Sequence, residues 1–179
     1  AAPFLAGILA HGRALCAVTA PSMVSYERLR PNAWSASVTN LGQRDREALV
    51  RICPVSAKPG ASVARSFNFE YRAADAAATP HLALGALVRA GLDGLRGNLA
   101  LPRAASVIEI ARMSEEERRA AGIVTLPKSL PEALDCLERD DAIMPEAMRM
   151  PYLMHKRGEA AQVASTGRDE LCGLYAQVY

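Results

Sequence analysis

With 179 residues, 50% of them hydrophobic and 22% charged, the chain lies within the composition of globular proteins and outside that of disordered or collagen-like ones. A net charge of +2 gives no global field of the kind a non-specific nucleic-acid binder uses, and no run approaches the ~20 uninterrupted apolar residues that span a bilayer. Cys16, Cys53, Cys136 and Cys172 form no CxxC pair and have no histidine at ligand spacing, which argues against a zinc site or a disulfide framework and fits a reducing, cytoplasmic compartment.

In chain order, the opening AAPFLAGILAHGRALCAVTA has the apolar character of a signal peptide. It lacks a basic leading region, however, and His11 and Arg13 interrupt it. Phe4, Leu5, Ile8, Leu9, Leu15 and Cys16 follow a 3.6-residue stripe, which predicts a core-facing helix. Pro21, Ser22 and Pro31 mark a break, after which residues 35–41 and 48–53 read as short strands around the charged turn QRDRE, a hairpin pattern. Residues 54–62 read as loop. The segment FNFEYR then alternates without error, placing Phe67, Phe69 and Tyr71 on one strand face and Asn68, Glu70 and Arg72 on the other.

Thr79-Pro80 predicts a helix start, with a hydroxyl N-cap and proline at the first helical position. The following HLALGALVRAGLDGL is apolar on nearly every side and predicts a buried helix, with Gly85 and Gly91 admitting another backbone. Residues 96–113 lack periodicity and read as loop. Ser114 with Glu117 and Ser129 with Glu132 are capping boxes; the first helix should stop at Gly122 and the second should bury Leu130, Leu134 and Leu137. Residues 144–157 and 159–178 read as helix interrupted near Gly158. No repeat or linker divides the chain, so a single domain over 1–179 is expected, long enough to bury a core without staples.

Glu70 and Arg72 carry the sharpest chemistry, since a carboxylate and a guanidinium two residues apart on one strand face lie roughly 7 Å apart and can address one ligand, Glu70 through a cation and Arg72 through an anion. The plainer alternative is a solvent-facing strand edge with a loose ion pair. Arg28, Arg46, Arg51 and Arg65 fall in the same third of the chain, and arginine suits multidentate contact with carboxylate or phosphate; ordinary surface arginines are the alternative. Arg46 and Arg51 differ in parity, so both reach one site only if Arg46 sits in the turn or a bulge intervenes. Trp34, the sole tryptophan, lies on a loop near these arginines and reads as a ligand wall. The three histidines have no partner at ligand spacing, and the Met144–Met154 methionines read as core filler.

Taken together, PSMVSYERLRP, QRDREALVRI, FEYRAADAAATPHLALGALVRAGLDGL and LPKSLPEALDCLERDDAI resemble the C-terminal half of the catalytic domain of glutamine synthetase, in order and across most of residues 4–143. The remaining 36 residues match only in helical character. The resemblance implies an α+β fold with antiparallel sheet segments packed against helices, and an ATP-dependent ligase that phosphorylates the side-chain carboxylate of glutamate before an amine displaces the phosphate. ATP and Mg2+ or Mn2+ are the implied cofactors, glutamate with ammonia or an organic amine the implied substrates, and a homo-oligomeric ring the implied assembly.

By the same resemblance Arg28 and Arg72 hold glutamate, Arg46 is the catalytic contact to the γ-phosphoryl group, Arg46 and Arg51 face the nucleotide, and Glu70 is a metal ligand. Arg65 replaces a lysine near the nucleotide, and Asn68 stands where many relatives have an arginine. The family's other metal-binding glutamates, its metal-binding histidine and its N-terminal domain have no counterpart in these residues, so the chain reads as a fragment expected to be inactive in isolation. Trp34 falls at the position of a flap glutamate that serves ammonia-using relatives, which favours an organic amine over ammonia. Two rival readings are a non-catalytic relative that keeps the fold for structure or assembly, and an independent anion- or nucleic-acid-binding domain.

Overall fold

The computed structural model describes residues 1–55, 60 and 62–178. The predicted N-terminal helix is two helices, α1 (Ala2–Ala10) and α2 (Gly12–Thr19), bent by 74° at His11. The bend sends the apolar stripe in two directions: Leu5, Ile8 and Leu9 pack on one side, and Leu15, Cys16 and Val18 enter the centre of the core with at most 1% of their surface exposed. A 3-10 turn follows at Ser25–Glu27, where the Tyr26 hydroxyl donates to the Cys16 carbonyl at 3.2 Å.

The sheet has three short strands, β1 (Leu41–Gln43), β2 (Val50–Ile52) and β3 (Phe69–Tyr71), in that order. β2 and β3 are antiparallel, but β1 and β2 run parallel, with Leu41 beside Val50 and Gln43 beside Ile52, so the expected hairpin is not formed and the sheet is mixed. The reason lies in two Asx contacts. Arg44 adopts a left-handed φ of 61° and turns the chain out of the sheet, where the Asp45 carboxylate accepts the N–H groups of Glu47 (2.9 Å) and Val107 (2.8 Å). The chain then returns to the start of β1, where Asn40 accepts from Leu49 through its side chain and from Val50 through its carbonyl, both at 3.1 Å. The expected strand at 35–41 contributes only a bridge from Val38 to Thr125 before β1 begins.

After α3 (Val63–Ser66) and β3, the chain forms α4 (Pro80–Arg96). Pro80 opens it as expected, but the Thr79 hydroxyl makes no capping bond. α4 is also not buried all round. It buries Ala83, Ala86, Ala90, Gly91 and Gly94, while Leu84, Val88, Leu92 and Leu95 are between 39% and 63% exposed. Small residues bring α4 close to α1: a Cβ on Gly94 would overlap the Pro3 carbonyl and the Gly7 backbone, and one on Gly91 would enter the Phe4 ring, whereas Gly85 faces open space.

The expected loop at 96–113 contains a helix, α5 (Val107–Arg112), started by a full capping box in which Glu109 accepts the Ser106 N–H at 2.7 Å. α6 (Glu115–Ala120) begins at the Ser114–Glu117 box and ends before Gly122, whose φ is 68°. α7 (Leu130–Glu138) is capped by Ser129, but Glu132 spends its carboxylate on the Lys128 N–H and on Arg13 rather than on Ser129. Leu130, Leu134 and Leu137 on α7 are fully buried against α2, each worth ~1.5–3 kcal/mol of burial. α8 (Glu146–Gln162) runs unbroken through Gly158, and the interruption falls instead at residues 163–167, before α9 (Arg168–Val178). The chain is thus α+β, and no single helix among the described residues is long and apolar enough to cross a membrane.

Candidate active site

The polar face of the sheet brings the charged residues together. β2–β3 register sets Arg51 directly opposite Glu70, and Arg72 follows Glu70 on the same strand face. One carboxylate oxygen, Glu70 Oε2, accepts from Arg51 Nη1 and from Arg72 Nη1, each at 2.9 Å. These two guanidinium groups, Arg72 first, hold the Glu70 carboxyl below the usual carboxylate range.

Arg72 also fixes two loops. Its Nε donates to the Arg46 carbonyl at 2.7 Å and its Nη2 to the Trp34 carbonyl at 3.2 Å. One guanidinium therefore joins β3 to the 44–49 connection and to the loop carrying Trp34. Arg46 lies in that connection and not in a strand, as the parity argument required, and its exposed side chain stacks over the Trp34 ring with Cζ 5.5 Å from the centroid. Trp34 is 69% exposed and sits at φ 56°, a conformation that costs a bulky residue about 1 kcal/mol and is found where the surroundings fix a loop for use.

Arg28 lies behind this layer. It is half-buried, donates from Nη1 to the Ser35 hydroxyl (2.7 Å) and the Arg72 carbonyl (3.4 Å), and donates from Nη2 to the Ala73 carbonyl. Its Nε, like that of Arg51, is buried without a hydrogen-bond partner among the described residues. Arg28 thus braces the backbone just after β3. Arg65 is exposed on α3, and among the described residues its side chain takes no part in the network. Asn68 spends its side-chain amide on the Ser66 carbonyl.

Among the described residues no group of three His, Cys, Asp or Glu side chains is placed to hold a metal ion, and Glu70 is already shared by two guanidinium groups. The described residues do not by themselves make a divalent site, which needs several oxygen ligands. What the face does offer is concentrated positive charge at fixed positions, suited to a carboxylate or a transferring phosphoryl group.

The opposite face of β3 is structural. The Tyr71 hydroxyl meets Thr19 Oγ1 at 3.1 Å and burial pushes its phenol up, while burial pushes the Cys16 thiol up to about 12 and removes it as a nucleophile. Asp45 and Asn40, which shape the Arg46 loop, escaped the sequence reading; the signal was the Asx pattern within QRDRE and the Asn just before β1.

Residues 1–171 match the family described as glutamine synthetase, catalytic domain. The chain is 41% identical over 140 residues to a glutamine synthetase of Pyrococcus furiosus, covering 78% of this chain and 30% of that protein. It is 36% identical over 181 residues to the gamma-glutamylpolyamine synthetase GlnA3 of Streptomyces coelicolor, covering 98% and 38%. A crystal structure of a novel glutamine synthase homolog superimposes with a TM-score of 0.81 at 42% identity, covering 99% and 38%, and a GmaS/ADP complex with 0.71 at 28%, covering 93% and 37%. The chain thus spans about a third of the length of the relatives it matches.

Proposed function

The chain belongs to the glutamine synthetase catalytic-domain family, and from that premise we propose that it is the arginine-bearing part of an ATP-dependent ligase that joins glutamate to an organic amine. The glutamate γ-carboxylate attacks the terminal phosphorus of ATP and ADP leaves. The amine nitrogen then attacks the acyl carbon, the carbon–oxygen bond to phosphate breaks, and the amine loses a proton.

In this reading Arg72 and Arg28 hold glutamate, Arg72 by its guanidinium and Arg28 by bracing the backbone carbonyls of Arg72 and Ala73. Arg46, exposed and held through its carbonyl by Arg72, is the catalytic contact that stabilises charge on the transferring phosphoryl oxygens. Arg51 and Arg65 face the nucleotide. Glu70 would supply one oxygen ligand to Mg2+ or Mn2+, the others coming from outside the described residues, so the 179-residue chain alone is expected to be inactive. The resemblance also implies a homo-oligomeric ring for the intact enzyme and small molecules rather than nucleic acid or membrane as partners. The four free cysteines fit the cytoplasm.

The observation that carries the choice of amine is Trp34, exposed at the edge of the arginine network with its carbonyl held by Arg72. An indole offers apolar area, about 25 cal/mol per Å2, to an alkyl or aryl amine and offers ammonia no proton acceptor. Supporting this, the GlnA3 relative is a gamma-glutamylpolyamine synthetase by name. A panel of amines assayed on the intact enzyme, wild type against Trp34→Glu, tests it: kcat/KM should rise with the apolar surface of the amine and the ranking should shift toward ammonia in the variant. Ammonia as the best wild-type substrate, with a ranking unchanged by the substitution, would overturn it.

A further inference from the structure

The arginine network has one carboxylate nearby that it does not use. Glu47 sits in the same connection as Arg46, is half-buried, and makes no ion pair among the described residues. Its Oε2 accepts one hydrogen bond, from the backbone N–H of Asn32 at 3.3 Å, two residues before Trp34. Asn32 and Trp34 both take left-handed φ values, 61° and 56°, so the loop that presents the indole is anchored at Asn32 by Glu47 and at Trp34 by Arg72. An indole and a carboxylate with no ion pair among the described residues thus border the same short loop.

These two groups share a preference. The face of an indole attracts a cation, and the Arg46 guanidinium already 5.5 Å from the ring centroid demonstrates it here; with 69% of its surface exposed, Trp34 has room for a second cation. A carboxylate with only a neutral amide as partner favours a positive charge beside it. Arg46, Arg51 and Arg72 outnumber Glu70, which two of them already share, and disfavour an incoming ammonium, so a second local anion favours holding a cationic ligand.

The nitrogen that forms an amide must be neutral when it attacks, whereas an indole and a carboxylate hold a charged ammonium, so one nitrogen cannot meet both demands at once. A diamine can. We infer that Trp34 and Glu47 form a cation subsite for the distal ammonium of a diamine substrate, with the near nitrogen left neutral for attack. This rests on the ligase reading for its role but not for its existence.

Trp34 is the only tryptophan in these 179 residues, and the part of the intact enzyme's intrinsic emission that Trp34→Phe removes reports on the subsite. The experiment titrates the protein with 1,4-diaminobutane and with 1-butylamine at matched ionic strength, in wild type and in Glu47→Gln, whose amide oxygen can still accept from Asn32 but carries no charge. The expected result is a saturable change with the diamine at a concentration at least ~10-fold lower than with butylamine, and a Glu47→Gln protein in which the two amines become equivalent. Equal wild-type responses to the two amines would overturn the proposal. So would a Glu47→Gln protein that keeps the wild-type preference, or one that loses response to both amines alike, since that assigns Glu47 to loop anchoring only. The titration needs no turnover, so an intact enzyme that couples no amine would remove the ligase reading while leaving the subsite to stand or fall on the emission data.

Discussion

The α2–α7–α8 core and the arginine face of the sheet are held by opposite means. In the core, Leu15, Leu130, Leu134, Leu137 and Leu153 are at most 1% exposed and pack on one another, with ion pairs such as Arg13–Glu132 and Arg157–Glu138 confined to the rim. At the arginine face, above the buried Leu49 and Val50, directed hydrogen bonds set the geometry; Arg72 links Glu70, the Arg46 carbonyl and the Trp34 carbonyl, and two of the residues presented, Arg46 and Trp34, stand exposed. Loss of volume in such a core leaves a cavity and costs stability. The face holds its geometry by directed hydrogen bonds to backbone and so leaves side chains free to meet a ligand, one of them at a left-handed φ.

This contrast can be broken at its strongest point first. Leu134→Ala should cost 2–5 kcal/mol in chemical denaturation, because a fully buried leucine loses transfer energy and leaves a cavity. A cost below about 1 kcal/mol would mean that the core repacks freely.

A second test lies at the edge of the helical core. His11, at the α1–α2 bend, bridges Asp140 (2.6 Å) and Asp93 of α4 (3.0 Å), and these carboxylates, Asp140 foremost, raise its pKa from 6.5 to about 9 against the opposing effect of burial. A raised folded-state pKa gives a contribution that is full below pH 6.5, where both states are protonated, and that is lost as pH rises through about 9. Stability should therefore fall by on the order of 2 kcal/mol between these limits, with Asp93 half-exposed and partly screened, and His11→Gln should abolish that slope. An unchanged slope in the variant would assign the pH dependence to other groups.

The smallest effect on stability is expected at the residue assigned to the choice of amine. Trp34→Glu should change stability by less than about 1 kcal/mol, since it removes one exposed cation–π contact and keeps the same left-handed φ at that position, while altering the order of amine preference. A large destabilisation would make Trp34 a structural residue.

Much of this was legible in the residues. Strict alternation placed Glu70 and Arg72 on one face, the S-x-x-E patterns located α6 and α7, and block-wise resemblance identified the family. What escaped depends on contacts distant in sequence. The parallel pairing of β1 and β2 rests on Asp45 reaching Val107 and on Asn40 receiving Leu49, neither visible to a period-two pattern. The exposed side of α4 was misread because hydrophobicity alone does not say which face meets α1; the Gly7–Gly94 approach decides it. α5 was missed although Ser106 and Glu109 carry the same capping pattern as α6, since the flanking residues lack a period. At the site, sequence brought the arginines to one region, and what it does not show is the backbone contacts that Arg28 makes and, among the described residues, the separation of the Arg65 side chain from the network.

If this face serves phosphoryl transfer to glutamate, Arg46 is the residue at which that shows most directly. Steady-state kinetics of ATP- and glutamate-dependent phosphate release by the intact enzyme, wild type against Arg46→Ala, should show kcat reduced about 100-fold with KM for glutamate and ATP changed by less than about 3-fold, because the contact strengthens as charge builds on the phosphoryl oxygens. A loss confined to KM, or no loss at all, would contradict it.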